Sequence, residues 1–115
     1  MLRFGKESTM KRFISIIASW ALVFLPVCVQ ALPKGQQVVS GDVSFNSSTN
    51  QLNITASNKA IINYSSFNIA KNEAVNFIQP SINSVVLNRV ISSNPSSIFG
   101  SLNANGKVFL INPAG

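Results

Sequence analysis

From residue 32 onward the chain changes direction every few residues, and that habit limits what it can fold into. Apolar runs of three to six residues are each bracketed by Asn, Ser, Gly or Pro. Within the runs the apolar residues alternate. Leu52 and Ile54 fall on one side against Gln51, Asn53 and Thr55, and Ala60, Ile62 and Tyr64 share a side. Phe67 pairs with Ile69, Val75 with Phe77, Val85 with Leu87, and Val108 with Leu110. A period of two is the mark of a strand with one buried face, and no stretch holds a helical period beyond about two turns. The segment 32–115 is therefore expected to be all-β, with strands at 37–40, 43–45, 51–55, 60–64, 66–69, 74–79, 85–90, 98–102 and 107–111.

Strands this short, with polar breaks this close together, suit a solenoid of β rungs better than a sandwich of long hairpins. Composition agrees. Asn and Ser each occur 14 times in 32–115, and their short side chains bond nearby backbone and tolerate tight turns. Asn105-Gly106 is a strong turn signal between two apolar runs. Pro80 ends the run before it by removing a ladder donor, and Gly100 marks a bulge or a place where another backbone comes close. Four phenylalanines, Phe67, Phe77, Phe99 and Phe109, are expected as stacked core residues. Val, Ile, Leu and Phe recur too regularly for a disordered chain.

The first 31 residues follow a different plan. Arg3, Lys6, Lys11 and Arg12 precede an apolar run at 13–27, interrupted by Ser15, Ser19 and Pro26. Val29-Gln30-Ala31 then places small residues where a signal peptidase reads them, so 1–31 is expected to be a signal peptide cut after Ala31. The apolar run is shorter than the roughly 20 residues that span a bilayer as a helix. Met1 and Met10 both suit as a start, since Lys11 and Arg12 alone supply a charged head. Cys28, the single cysteine, lies inside this leader, so 32–115 holds no disulfide.

Charge narrows the function classes. The formal net charge of +6 is half leader: 32–115 carries Lys34, Lys59, Lys71, Arg89 and Lys107 against Asp42 and Glu73, a net +3. These cations are scattered singly and form no track for a phosphate backbone, so nucleic acid is not an expected partner. With no His, no Cys after residue 28 and two side-chain carboxylates beside turn residues, neither catalysis nor metal or cofactor binding is expected.

Several phrases, in order and spacing, carry a resemblance: LPKG at 32–35, NKAIINYSSFNI at 58–69, EAVNFIQPS at 73–81 and LNRVISSNPSSIFGSLNANGKVFLINPAG at 87–115. Together they resemble the N-terminal secretion domain of filamentous-haemagglutinin-type exoproteins, the substrates of two-partner secretion in Gram-negative bacteria. The resemblance implies a right-handed, single-stranded parallel β-helix with an N-terminal cap. It implies recognition in the periplasm by a dedicated outer-membrane β-barrel transporter, and a secreted or cell-surface destination. Adhesin, haemolysin or toxin activity, and any contact with a host cell, would belong to a passenger beyond this segment.

By the same resemblance, residues 99–110 look like a family rung and Asn112-Pro113-Ala114-Gly115 like the signature Asn-Pro-Asn-Gly turn, with Ala114 in place of the second Asn. Physically, Asn112 can cap backbone amides, Pro113 presets φ, and Gly115 relieves the exit. Ala114 in third place suits a type I turn and disfavours type II. Asn112, Pro113 and Gly115, with Asn88 and Arg89, are the candidate residues, either read by the transporter or fixing a corner. Because family domains run longer, the expectation is a truncated domain with 32–115 as its front. The alternatives are a small stand-alone adhesive or structural β module, or a non-functional remnant.

Overall fold

A computed structural model describes residues 31–115; the expected signal peptide, 1–31, lies outside the described residues except for Ala31. Eight strands occur in this order: β1 (Gln37–Ser40), β2 (Val43–Ser47), β3 (Gln51–Ala56), β4 (Ala60–Tyr64), β5 (Ala74–Ile78), β6 (Val85–Val90), β7 (Ser101–Ala104) and β8 (Lys107–Ile111). They form two four-stranded sheets, β1-β4-β6-β8 and β2-β3-β5-β7.

From β3 onward, strands adjacent in sequence lie in different sheets, and each sheet takes alternate strands. β3, β5 and β7 pair in parallel, as do β4, β6 and β8. The chain winds as three rungs, β3 to β4, β5 to β6 and β7 to β8. In-register partners such as Gln51, Ala74 and Ser101 sit one above another although no sequence repeat relates them. A third, shorter side is made by the segments around Ile69 and Ile98, which meet through a parallel bridge. Parallel strands need a crossover to return, and here the neighbouring sheet is that crossover.

The first turn is different. β1 pairs antiparallel with β4 and β2 antiparallel with β3, so the strands before the first parallel rung cap one end of the coil. β1 carries a register shift between Val38 and Ser40. A bulge of this kind bends a strand and blunts a sheet edge.

The core lies between the sheets and the third side. Leu52, Ile54, Ala56, Ala60, Ile62, Tyr64, Phe67, Ile69, Val75 and Phe77 are all buried, which is the alternation read for β3, β4 and β5. Val108 and Leu110 pack partly against the same cluster. Gly100 marks a close approach of backbones: a Cβ there would collide with the carbonyl oxygens of Ala70 and Glu73.

Three expectations fail in detail. The side of β6 facing the core is Val86, Asn88 and Val90, not Val85 and Leu87. The apolar pattern misleads there because the central inward residue is an amide. Phe67 and Phe77 are core residues, but Phe99 is 75% exposed and Phe109 53% exposed. Phe109 lies between the inward Val108 and Leu110, so strand parity turns it outward. Finally, 66–69 makes only single bridges, and the strand expected at 98–102 begins at Ser101.

Candidate functional site

Two networks of short polar side chains hold the corners of the coil. At the exit of β4 the Ser65 carbonyl accepts from Ser92 Oγ at 2.5 Å and Asn94 Nδ2 at 3.2 Å, one rung on. Asn68 Oδ1 accepts the Ser97 N–H at 2.8 Å. The next rung repeats the device: Asn112 Nδ2 donates to the Asn94 carbonyl at 2.9 Å and to Ser96 Oγ at 2.8 Å. The Ser96 N–H reaches the Gly115 carbonyl at 2.7 Å. The turn at 112–115 therefore sits on the turn at 94–97, which in turn sits on the end of β4.

Within its own turn, Asn112 Oδ1 accepts the Ala114 N–H at 2.9 Å, and the Gly115 N–H closes onto the Asn112 carbonyl at 3.0 Å. Gly115 takes a φ of 103°, whereas Lys59 is the sole non-glycine with positive φ among the described residues, so Ala114 does not. That is the type I geometry, which accommodates a Cβ at the third position. Asn112 is half-buried by its bonds; Pro113, Ala114 and Gly115 are exposed. The same residues thus fix a corner and present a surface.

The opposite corner uses Gln79, which is buried. Its Nε2 donates to the Ser84 and Lys107 carbonyls, each at 3.1 Å, and its Oε1 accepts the Gly106 N–H at 3.1 Å. Asn105 reaches the Gln79 backbone from both ends of its amide, at 2.7 Å each. Asn105-Gly106 turns the chain into the other sheet and not back on itself as a hairpin, and a Cβ at Gly106 would press on the Gln79 amide at 2.7 Å.

Asn88 and Arg89 part company. Asn88 lies within β6, not in a turn, and is fully buried. Its Oδ1 accepts the Tyr64 hydroxyl at 2.6 Å and its Nδ2 donates to the Phe109 carbonyl at 3.2 Å, linking three successive strands of one sheet. The surroundings that exclude water also push the Tyr64 phenol well above its ordinary pKa, because burial penalises the phenolate. Tyr64 packs edge-on against Phe67, ring centres 5.1 Å apart. Arg89 points the other way and donates from Nε to Asn63 Oδ1 at 2.9 Å. Adjacent strand residues face opposite sides, so one partner cannot grip both.

Sequence reasoning missed Glu73. This carboxylate is 7% exposed and accepts the Ala70 N–H at 2.8 Å and the Ala31 N–H at 3.2 Å to each oxygen. Acceptance of the Ala70 N–H three residues back is a local turn motif, and it was the available signal. Nearby, the lead-in docks through backbone bonds between Lys34 and the 65–66 segment. No group of three or more His, Cys, Asp or Glu that could hold a metal ion occurs among the described residues.

These rungs, corners and cap define a β-helical domain. The TPS secretion domain family matches residues 29–115, and the chain belongs to that family. It is similar to the HMW1 secretion domain from Haemophilus influenzae, whose crystal structure superimposes with a TM-score of 0.71 at 46% identity. That match covers 72% of this chain and 22% of the other, and the shared fold is the right-handed β-helix. Two heme/hemopexin-binding proteins of Haemophilus influenzae are 44% identical over 85 residues and 38% identical over 104. The matches take in 73% and 83% of this chain but only 9% and 11% of those proteins, so the chain spans about a tenth of their length.

Proposed function

We propose that this chain is the N-terminal secretion-targeting domain of a large secreted or surface exoprotein, recognised in the periplasm by its outer-membrane two-partner-secretion transporter. The observation that carries the reading is the family match across the whole described β-helix, cap included. A basic, apolar leader ahead of it suits a protein that must first cross the inner membrane. The exposed backs of the turn at 112–115, with Arg89 on an outer face, are the parts of the candidate set that a transporter could touch. Asn88 would act from inside by holding the rungs in register.

The bound species named for the curated relatives would belong to the rest of such an exoprotein. Residues 32–115 contain no His, Cys or Met, and the single Tyr is buried, so the usual axial ligands for haem iron are missing from this segment. The test is to fuse the chain to a reporter and produce it with and without its transporter. Reporter reaching the medium only when both are present supports the reading. Equal export without the transporter overturns it.

A further inference from the structure

We propose that Glu73 is the acceptor for the new amino terminus created when the leader is removed, so that cleavage converts a peptide contact into a charge pair that seats the cap. The proposal rests on the secretion reading and on a cut after Ala31. Glu73 is a buried carboxylate whose recorded partners are backbone N–H groups: Ala70 on its own turn, and Ala31 across the cap, 42 residues away in sequence. Both carboxylate oxygens face the Ala31 nitrogen at 3.2 Å, the geometry of a carboxylate centred on one donor. Neither contact brings a positive charge, and burying an unpaired carboxylate is costly.

Cleavage after Ala31 supplies the missing charge within reach. The Leu32 nitrogen is the next one along the backbone, within about 3.8 Å of the Ala31 nitrogen, because successive residues are no further apart than that. Hydrolysis of the Ala31–Leu32 peptide bond adds water across it, leaving the carboxylate on Ala31 and an ammonium on Leu32. Leu32 and Pro33 are buried, so the new terminus is held against the rungs instead of drifting into solvent. Lys34 anchors the same segment, its N–H donating to the Ser66 carbonyl at 3.0 Å. The new amine thus forms within about 7 Å of a carboxylate already turned toward the neighbouring nitrogen, a gap that a small shift of the freed end closes. Among the described residues the uncleaved chain offers Glu73 peptide N–H groups, which are weaker partners for a carboxylate than an ammonium.

The chain is produced with its own leader and collected from the periplasm, and its intact mass locates the cut. The folded protein is then treated briefly at near-neutral pH with an acylating reagent selective for α-amines, and the rate is compared with that in concentrated urea. The wild-type Leu32 amine should react at least about tenfold more slowly when folded, since each unit of upward pKa shift removes tenfold of the reactive neutral amine. Glu73→Gln, which keeps the shape and removes the charge, should bring the folded rate close to the urea rate. A cooperative urea transition, present in both variants, certifies that both are folded. Should Glu73→Gln not fold, Glu73→Asp takes its place and should give an intermediate rate.

Equal folded rates for wild type and variant overturn the pairing, because simple shielding would survive the substitution. A mature chain that begins elsewhere than Leu32 overturns it as well. Neither result touches transporter-dependent export, which the reporter experiment reads separately.

Discussion

The two sheets use asparagine in opposite ways. In β2-β3-β5-β7 the amides face outward: Asn103 Nδ2 donates to Asn76 Oδ1 and Asn76 Nδ2 to Asn53 Oδ1, each at 2.9 Å, forming a ladder across three in-register strands. Behind it the inward residues are apolar, with Leu52 over Val75 and Ile54 over Phe77. In β1-β4-β6-β8 Asn63 also faces outward, toward Arg89, but on the core side the arrangement inverts. Asn88 is inside, between Tyr64 and the Phe109 carbonyl, while the in-register outward column is Ile61, Leu87 and Phe109.

The inversion separates two strengths of register control. A hydrogen bond that water can replace contributes little, whereas a buried polar group left without its partner costs its full desolvation penalty. A strand slip by one residue would drive Asn88 outward and Leu87 inward, and would strand the Tyr64 hydroxyl. Slipping the outer ladder costs far less. Rungs without a sequence repeat need such a pin, and the buried network supplies it.

The sharpest way to break the contrast is Asn88→Leu, which leaves the buried Tyr64 hydroxyl without its acceptor and removes the side-chain donor to the Phe109 carbonyl. The expected loss is about 3 kcal/mol, read from the urea midpoint. Adding Tyr64→Phe to that variant should recover about 1 kcal/mol, since a buried donor is removed with its partner. A double variant no better than the single would show that the hydroxyl has another acceptor.

Next in size is the titration of Tyr64, the single tyrosine in the chain. Its folded pKa is raised, so the neutral phenol favours the folded state below the unfolded pKa of about 10. Above that pH the unfolded chain loses its proton first, and stability should fall by about 1.4 kcal/mol per pH unit until the folded pKa is reached. Phenolate absorbance should therefore rise together with unfolding. A phenolate signal near pH 10 in a folded chain would contradict the buried placement.

Asn76→Ala cuts the outer ladder at its centre and should cost about 0.5–1 kcal/mol by the same urea assay. Smallest is Arg89→Ala, which removes one half-exposed bond to Asn63 and should change stability by less than about 0.5 kcal/mol. If transporter-dependent export falls in Arg89→Ala while stability holds, Arg89 belongs to the recognised surface. If both hold, it is a surface residue only.

Much of this was readable from residue order. The alternation of β3, β4 and β5 named their buried faces, Gly100 narrowed to a bulge or a close approach, of which the structure has the second, and Ala114 named the turn type. β6 was misread because a period-two rule counts apolar residues, and its inward centre is Asn88. Phe99 and Phe109 were misplaced because aromatic character says nothing of parity. Pairing was the least legible part. Partners such as Leu52, Val75 and Leu102 share a column through register alone, and nothing local announces that β2 runs antiparallel to β3 while β5 runs parallel to it. Glu73 escaped notice because its partner Ala31 is the last residue of the expected leader, and charge counting cannot see burial.

The most direct measurement of the central claim is the amount of a fused reporter in the culture medium, in cells with and without the outer-membrane transporter. Reporter is expected in the medium only with the transporter, with a fall toward background when Asn88→Leu unpins the rungs. Transporter-independent release, or retention of the fusion in the periplasm despite the transporter, would contradict it.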